Sequence, residues 1–172
     1  SESGIGSIQS FDVSTLPAKI AGQIPVGTRA ENKLDLAEWI PVKDIKKMDR
    51  FIHLALVAAE EAVLDSGWLP ESEEDRCRTG VMIGSGIGGL EAIQDASALV
   101  VQGKARRISP FFIPSALVNL ASGQVSIKYG FKGPNHAVVT ACATGVHAVG
   151  DAARLIALGD AEVMVAGGAE AA

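Results

Sequence analysis

The sequence predicts an α/β fold in which helices are laid on a parallel sheet, and three observations carry that expectation. Hydrophobic residues make up 48% of the 172 positions but aromatics only 5%, so burial relies on closely packed Ala, Val, Ile and Leu, as where helices cover a sheet. The run from Thr79 to Gly86 reads as a short buried strand ending in glycines, followed by a helical pattern from Gly89 to Gln102. Finally, His136 to Ala141 reads as a strand, Ala143 to Ile156 as a helix and Glu162 to Gly167 as another strand. Strand, helix and strand within about thirty residues form a right-handed crossover in a parallel sheet.

Taken in order, residues 1 to 47 carry Pro17, Pro25 and Pro41 and read as a surface meander, with a short strand within Lys19 to Ile24. From Met48 to Ser66 the apolar positions Met48, Phe51, Ile52, Ala55, Ala58, Ala59, Ala62 and Val63 recur at helical spacing, and Gly67 follows as a stop. The acidic run Glu71 to Asp75 reads as a solvated loop. In the helix from Gly89, Leu90, Ile93, Ala96 and Val100 share one side. Pro110 and Pro114 bracket Phe111 to Ile113, after which Ser115 to Tyr129 reads as a helix broken by Gly130 and Gly133. Strands near 79–84, 136–141 and 162–166 are too few to close a covered sheet. With Ser1 entering in mid-loop and Ala172 following a strand, the expectation is a piece of a larger protein.

Composition excludes several functions. A net charge of -5 and a pI near 5.2 argue against general nucleic-acid or membrane-surface binding. No apolar stretch reaches the roughly 18 residues a membrane span needs, and the N-terminus has no basic segment followed by an apolar signal core. Cys77 and Cys142 stand apart, without the spacing of a metal or redox pair, and the three histidines form no ligand cluster. A reduced, cytoplasmic setting is the expectation.

Cys142 is the candidate nucleophile. It stands where the apolar run from His136 stops and the helical pattern from Ala143 begins, so the unpaired N–H groups and positive dipole end of a first helical turn favour thiolate over thiol. The competing reading, a small buried hydrophobe, suits an arbitrary cysteine better than one at a strand–helix junction. No local base serves it. His147 is five residues along the same helix, about 500° of rotation, and so points roughly 140° away. His136 lies at the far end of the preceding strand, roughly 20 Å off. His53, between apolar neighbours, reads as a partly buried structural histidine.

Two further motifs bear on binding. Gly84 to Gly89 superficially resembles a dinucleotide fingerprint, but the spacing does not match, and Lys104 to Arg107 stands where a ribose-binding acid belongs. Close backbone approach is the better account, with Ile87 pushing one bulky side chain into a crowded place. Lys43, Lys46 and Lys47, with Arg50 a turn beyond, form a basic cluster in an acidic chain, which reads either as a solvated helix start or as a docking patch for an acidic partner.

Together these segments resemble the β-ketoacyl-acyl carrier protein synthases of the thiolase superfamily, in particular their type II branch. The resemblance runs through Ser3-Gly-Ile-Gly-Ser-Ile, Phe11-Asp-Val-Ser, Lys47-Met-Asp-Arg-Phe51, Ile83-Gly-Ser-Gly-Ile-Gly-Gly-Leu90 and Ile108-Ser-Pro-Phe-Phe-Ile-Pro-Ser115. It continues through Tyr129-Gly-Phe-Lys-Gly-Pro134, Thr140-Ala-Cys-Ala-Thr-Gly145 and Gly159-Asp-Ala-Glu-Val-Met-Val-Ala-Gly-Gly-Ala-Glu170. It implies a thiolase-like layered α-β-α-β-α fold, of which residues 1–172 supply about one half, as the N-terminal part of such an enzyme. The family's two histidines, lysine and gating phenylalanine fall in the part this chain does not match.

The resemblance implies that Cys142 accepts an acyl group from acyl carrier protein as a thioester, with its own N–H holding the oxyanion, before condensation with malonyl-acyl carrier protein in fatty acid elongation. It implies no cofactor or metal, and a homodimer. Ile87 matches the bottom of the acyl pocket and would have to move for long chains. Phe112 and Ile113 match the pocket wall at the dimer interface, and Lys43, Lys46 and Lys47 match the carrier-docking region. The alternatives are a thiolase, a polyketide- or nodulation-type synthase, or a non-catalytic chain-length-factor-like partner, the last disfavoured by the presence of Cys142.

Overall fold

The computed structural model describes residues 3–171, so the readings made at Ser1 and Ala172 lie outside the described residues. Two compact units are formed, Ser1–Glu38 and Trp39–Ala172.

In the first unit, β1 (Ile5–Ser7) pairs antiparallel with β2 (Ile20–Gly22), Gly6 opposite Ala21. A parallel bridge joins Val26 to Leu34, and Asn32 takes a left-handed φ of 55° to turn the chain between them. The expected meander with a short strand is found, and the strand has a partner in β1.

The second unit begins with the short helix α1 (Val42–Ile45) and the long helix α2 (Arg50–Ser66), which Gly67 ends in the left-handed conformation at φ 66°. Asp49 precedes α2 in extended conformation, so the helix starts two residues later than the apolar pattern. Phe51, Ile52, Ala55, Leu56, Ala59 and Val63 are buried along it, whereas Ala58 and Ala62 are exposed: the stripe turns toward Leu56. The acidic run is not a loop. It forms α3 (Glu73–Cys77), because Ser72 caps it: the Ser72 Oγ accepts from the Asp75 N–H at 3.0 Å and donates to the Asp75 carboxylate at 2.7 Å. Three acidic residues in that first turn also suit the positive end of the helix.

The parallel sheet has the order β4-β3-β5. Central β3 (Thr79–Gly84) is buried at every position and pairs with β5 (Val163–Gly168) over its whole length, from Thr79 opposite Val163 to Gly84 opposite Gly168. α6 (Leu120–Tyr129) packs on β3 and β4 with α2 against it, and α7 (Thr144–Leu158) packs on β3 and β5. α4 (Leu90–Val101) buries Ala96 only; Leu90, Ile93 and Val100, expected on its covered side, are exposed within this chain.

Two expected elements are shortened. The helix read from Ser115 to Tyr129 is two helices, α5 (Phe112–Ala116) and α6, because the Ala116 carbonyl accepts from the Gly89 N–H at 3.0 Å instead of continuing the helical ladder. The strand read from His136 to Ala141 is only β4 (Asn135–His136). Beyond it the β3 backbone finds a side-chain partner. The Val81 N–H bonds to the Pro134 carbonyl at 2.9 Å, but the Ile83 N–H is accepted by the Ser122 Oγ at 2.7 Å. Ser122 is fully buried, and its hydroxyl lies 3.0 Å from both the Ile83 and His136 carbonyls.

Ser122→Ala is therefore expected to leave the Ile83 N–H buried without its acceptor and to destabilise the protein by about 1–3 kcal/mol, read as a lower urea midpoint at unchanged slope.

Candidate active site

The site is built where the glycine end of β3 meets the turn that opens α7. A Cβ at Gly84 would overlap the Val138 carbonyl and the Thr144 methyl, so only glycine lets the chain after β4 pass this close to the central strand. One residue on, Ser85 is buried, and Gly86 lies against the next turn, where an added Cβ would stand 3.4 Å from the Ala141 Cα.

That turn is a single 3-10 turn, Ala141–Ala143, running straight into α7. Ala141 holds a left-handed φ of 51°, a conformation costing a residue with a Cβ roughly 1–2 kcal/mol. Thr144 keeps it there. Its buried hydroxyl accepts from the Thr140 N–H at 2.9 Å and donates to the Ala141 carbonyl at 2.7 Å, closing the turn on both sides of the cysteine. Cys142 thereby sits at the tip of the turn with its side chain exposed. A thiol on a strained, clamped turn at a helix start is presented for attack on an electrophile.

None of the three histidines is engaged with the sulfur. The His147 Nδ1 is hydrogen-bonded to the Thr140 Oγ1 at 2.7 Å, on the turn's flank. His136 is exposed in β4. His53 is buried in α2 with its Nε2 bonded to the Ile45 carbonyl at 2.9 Å, as a structural histidine, and burial holds its pKa below the ordinary 6.5. Among the described residues no group of three or more His, Cys, Asp or Glu could hold a metal, and no helix is long and apolar enough to cross a membrane.

Two neighbouring segments meet the same loop, the C-terminal end of α5 and the stretch that ends at Asp49. Ile87 follows Gly86; its side chain is 51% exposed in this chain, and the close backbone approach is made by the glycines on either side of it. An added Cβ at Gly88 would meet the Ala116 carbonyl at 2.7 Å, which sets the C-terminal end of α5 against the loop, while Phe112 and Ile113 stand at the helix's other end. Phe112 is half-buried and Ile113 exposed. The basic cluster is adjacent too. Lys47 bonds to Asp44 at 2.7 Å and its ammonium lies 5.3 Å from the Phe111 ring centroid, while Lys43 and Lys46 are exposed at the surface. The Lys47 ammonium holds the Asp44 carboxyl below its ordinary value.

Three residues that sequence reasoning did not single out complete the frame. Thr144 clamps the turn. Asp49, buried before α2, accepts from the Ala92 N–H at 2.8 Å and so caps α4, which Gly89 cannot cap with a side chain of its own. Glu170 receives the Gly86 and Ile87 N–H groups at 2.9 and 3.0 Å. Asp49 had a visible signal, an acid at a helix start; Thr144 and Glu170 act through bonds that spacing does not reveal.

The family model described as "Beta-ketoacyl synthase, N-terminal domain" matches residues 1–172. The chain is 57% identical over 163 residues to "3-oxoacyl-[acyl-carrier-protein] synthase 2" of Rhizobium meliloti (strain 1021), covering 95% of this chain and 39% of the relative. It is 51% identical over 170 residues to the mitochondrial 3-oxoacyl-[acyl-carrier-protein] synthase of Arabidopsis thaliana, covering 95% of this chain and 36% of that protein. The chain thus spans well under half the length of these relatives. Among solved structures, a type II PKS acyl-carrier protein in complex with its ketosynthase matches with TM-score 0.72 at 28% identity, over 80% of this chain and 40% of that one. The ishigamide ketosynthase/chain length factor matches with TM-score 0.71 at 26% identity, over 93% and 43%. The fold is accordingly the layered, thiolase-like one, with the described sheet and its flanking helices as one part.

Thr144→Val removes the clamp while keeping the shape, leaving the Thr140 N–H and Ala141 carbonyl without it; a loss of about 1–3 kcal/mol is expected in urea unfolding. His53 gives a second expectation. Its folded-state pKa lies below 6.5, so the unfolded chain binds the proton first, and stability is lost as pH falls below 6.5. Replacing His53 by Gln should flatten the urea midpoint against pH in that range.

Proposed function

This chain belongs to the β-ketoacyl synthase family, and on that footing we propose that residues 1–172 are the N-terminal part of a 3-oxoacyl-[acyl-carrier-protein] synthase of the type II branch. The observation that carries the proposal is the exposed thiol of Cys142 on a clamped, left-handed turn at the start of α7. The names of the relatives at 42–57% identity support the carrier-protein reading over a thiolase or a non-catalytic partner.

In this reading the Cys142 sulfur attacks the thioester carbonyl of an acyl carrier protein. The developing oxyanion is held by the Cys142 N–H, and collapse expels the carrier's thiol, leaving the acyl group on Cys142. Malonyl-acyl carrier protein then loses CO2, its carbanion attacks the Cys142 thioester, and the Cys142 thiolate departs. The product is a 3-oxoacyl chain on the carrier. Ile87, Phe112 and Ile113 line the acyl pocket, and exposed Lys43 and Lys46, with Lys47, receive the acidic carrier. The protein acts as a cytoplasmic homodimer, and the chemistry uses no metal or organic cofactor. The histidines and lysine that complete condensation in the family are not among residues 1–172, consistent with His147 and His53 being engaged elsewhere.

The test is Cys142→Ala in the protein that carries this chain. The variant's fold is checked by its urea midpoint against that of the parent. Incubation with acyl carrier protein carrying a radiolabelled acyl group should label the parent at Cys142 and leave the variant unlabelled. Elongation retained by the folded variant would sink the nucleophile assignment.

A further inference from the structure

Glu170 stands two residues beyond β5, yet its carboxylate reaches back to the loop that leaves β3. Its Oε2 accepts from the Gly86 N–H at 2.9 Å, from the Ile87 N–H at 3.0 Å and from the Ser85 hydroxyl at 3.3 Å. The Ser85 Oγ in turn accepts from the Gly88 N–H at 3.0 Å. Every residue from Ser85 to Gly88 is thus tied to one carboxylate, directly or through a buried serine. On its other side the loop lies against Ala141, the strained neighbour of Cys142.

Successive backbone N–H groups converging on one anion make a nest, and charge-assisted bonds of this kind are the strong ones.

We propose that Glu170 is a positioning residue that pins the Ser85–Gly88 loop, and with it Ile87, and thereby sets the length of acyl chain that Cys142 accepts. This rests on the acyl-transfer reading above, in which Ile87 closes the acyl pocket and yields to long chains. Removing the carboxylate leaves the Gly86 and Ile87 N–H groups without their acceptor. The loop then populates positions in which Ile87 is displaced, and a chain that needs that displacement gains in proportion to the population released.

The experiment is acylation of Cys142 in the protein that carries this chain, followed by intact mass, with one short-chain and one long-chain acyl carrier protein as donors. Glu170→Ala should raise the ratio of long- to short-chain acylation rates on the order of tenfold. Glu170→Gln, whose amide oxygen still accepts N–H bonds, should stay near the parent ratio. In an Ile87→Ala background, where the obstruction is already gone, Glu170→Ala should add little. Should Glu170→Ala fail to fold, Glu170→Asp, too short to reach the loop in the same way, is read by the same ratio. A purely structural role predicts equal losses for both donors with a lower melting midpoint, and that result, or an unchanged ratio, overturns the assignment. Absence of any acyl adduct on the unsubstituted protein would overturn the acyl-transfer reading itself, and this inference with it.

Discussion

The close approach of the β3 terminus to the Cys142 turn is the constraint from which the rest of the site follows. Gly84 has no side chain, and in the space one would fill run the Val138 carbonyl and the Thr144 methyl. Because the chain crosses there, it cannot remain a ladder partner of β3, and β4 ends at His136. The β3 N–H that points the same way as that of Val81 must then be satisfied by something else, and Ser122 on α6 supplies the oxygen. The same crossing delivers residues 140 to 144 to the end of the sheet, where Thr144 can fold the turn back on itself. A strand shortened to two residues, a buried serine and a clamped turn are three consequences of one missing Cβ.

Much of this architecture was legible in the residues. The helix from Arg50 to Ser66 and its glycine stop, the central strand at Thr79–Gly84, the last strand and the position of Cys142 at a helix start all follow from apolar period and glycine placement. What escaped was set by individual hydrogen bonds. The run Ser72-Glu-Glu-Asp75 looks like a solvated charge cluster until the serine is seen to be a cap. Ser115 to Tyr129 looks like one helix until the Ala116 carbonyl is found bonded to Gly89. The glycines around Ile87 signal crowding, and in this chain the close approach belongs to their backbones.

The candidate docking cluster and the candidate pocket also share material. Lys47 is held by Asp44 on one side and lies over the Phe111 ring on the other, and Phe111 immediately precedes α5. The next two residues after Lys47 lead to Asp49, whose carboxylate caps α4 at the far side of the Ile87 loop. An acidic surface meeting Lys43 and Lys46 would therefore bear on a segment joined, through Asp49, to the α4 end of the loop beside Cys142. No flexible linker intervenes: Met48 and Asp49 are buried. The proposed docking charge and the start of α4 are thus linked through the short buried stretch Met48–Asp49.

The energetics of the turn explain why its clamp must be a hydroxyl. Ala141 in a left-handed conformation costs roughly 1–2 kcal/mol, and a single net hydrogen bond contributes about 0.5–1.5 kcal/mol. One bond alone would barely offset the strain. Thr144 makes two, because a hydroxyl both accepts, from the Thr140 N–H, and donates, to the Ala141 carbonyl; it is buried, where an unmade bond would cost more than it costs in water. A carboxylate at this position could only accept and an ammonium only donate, leaving one side of the turn open. The cysteine at the tip needs no bond of its own to stay in place, since the residues on either side of it are fixed. Its side chain is left exposed in this chain, as the proposed nucleophile requires, while the strain of holding it there is offset by a buried threonine two residues away.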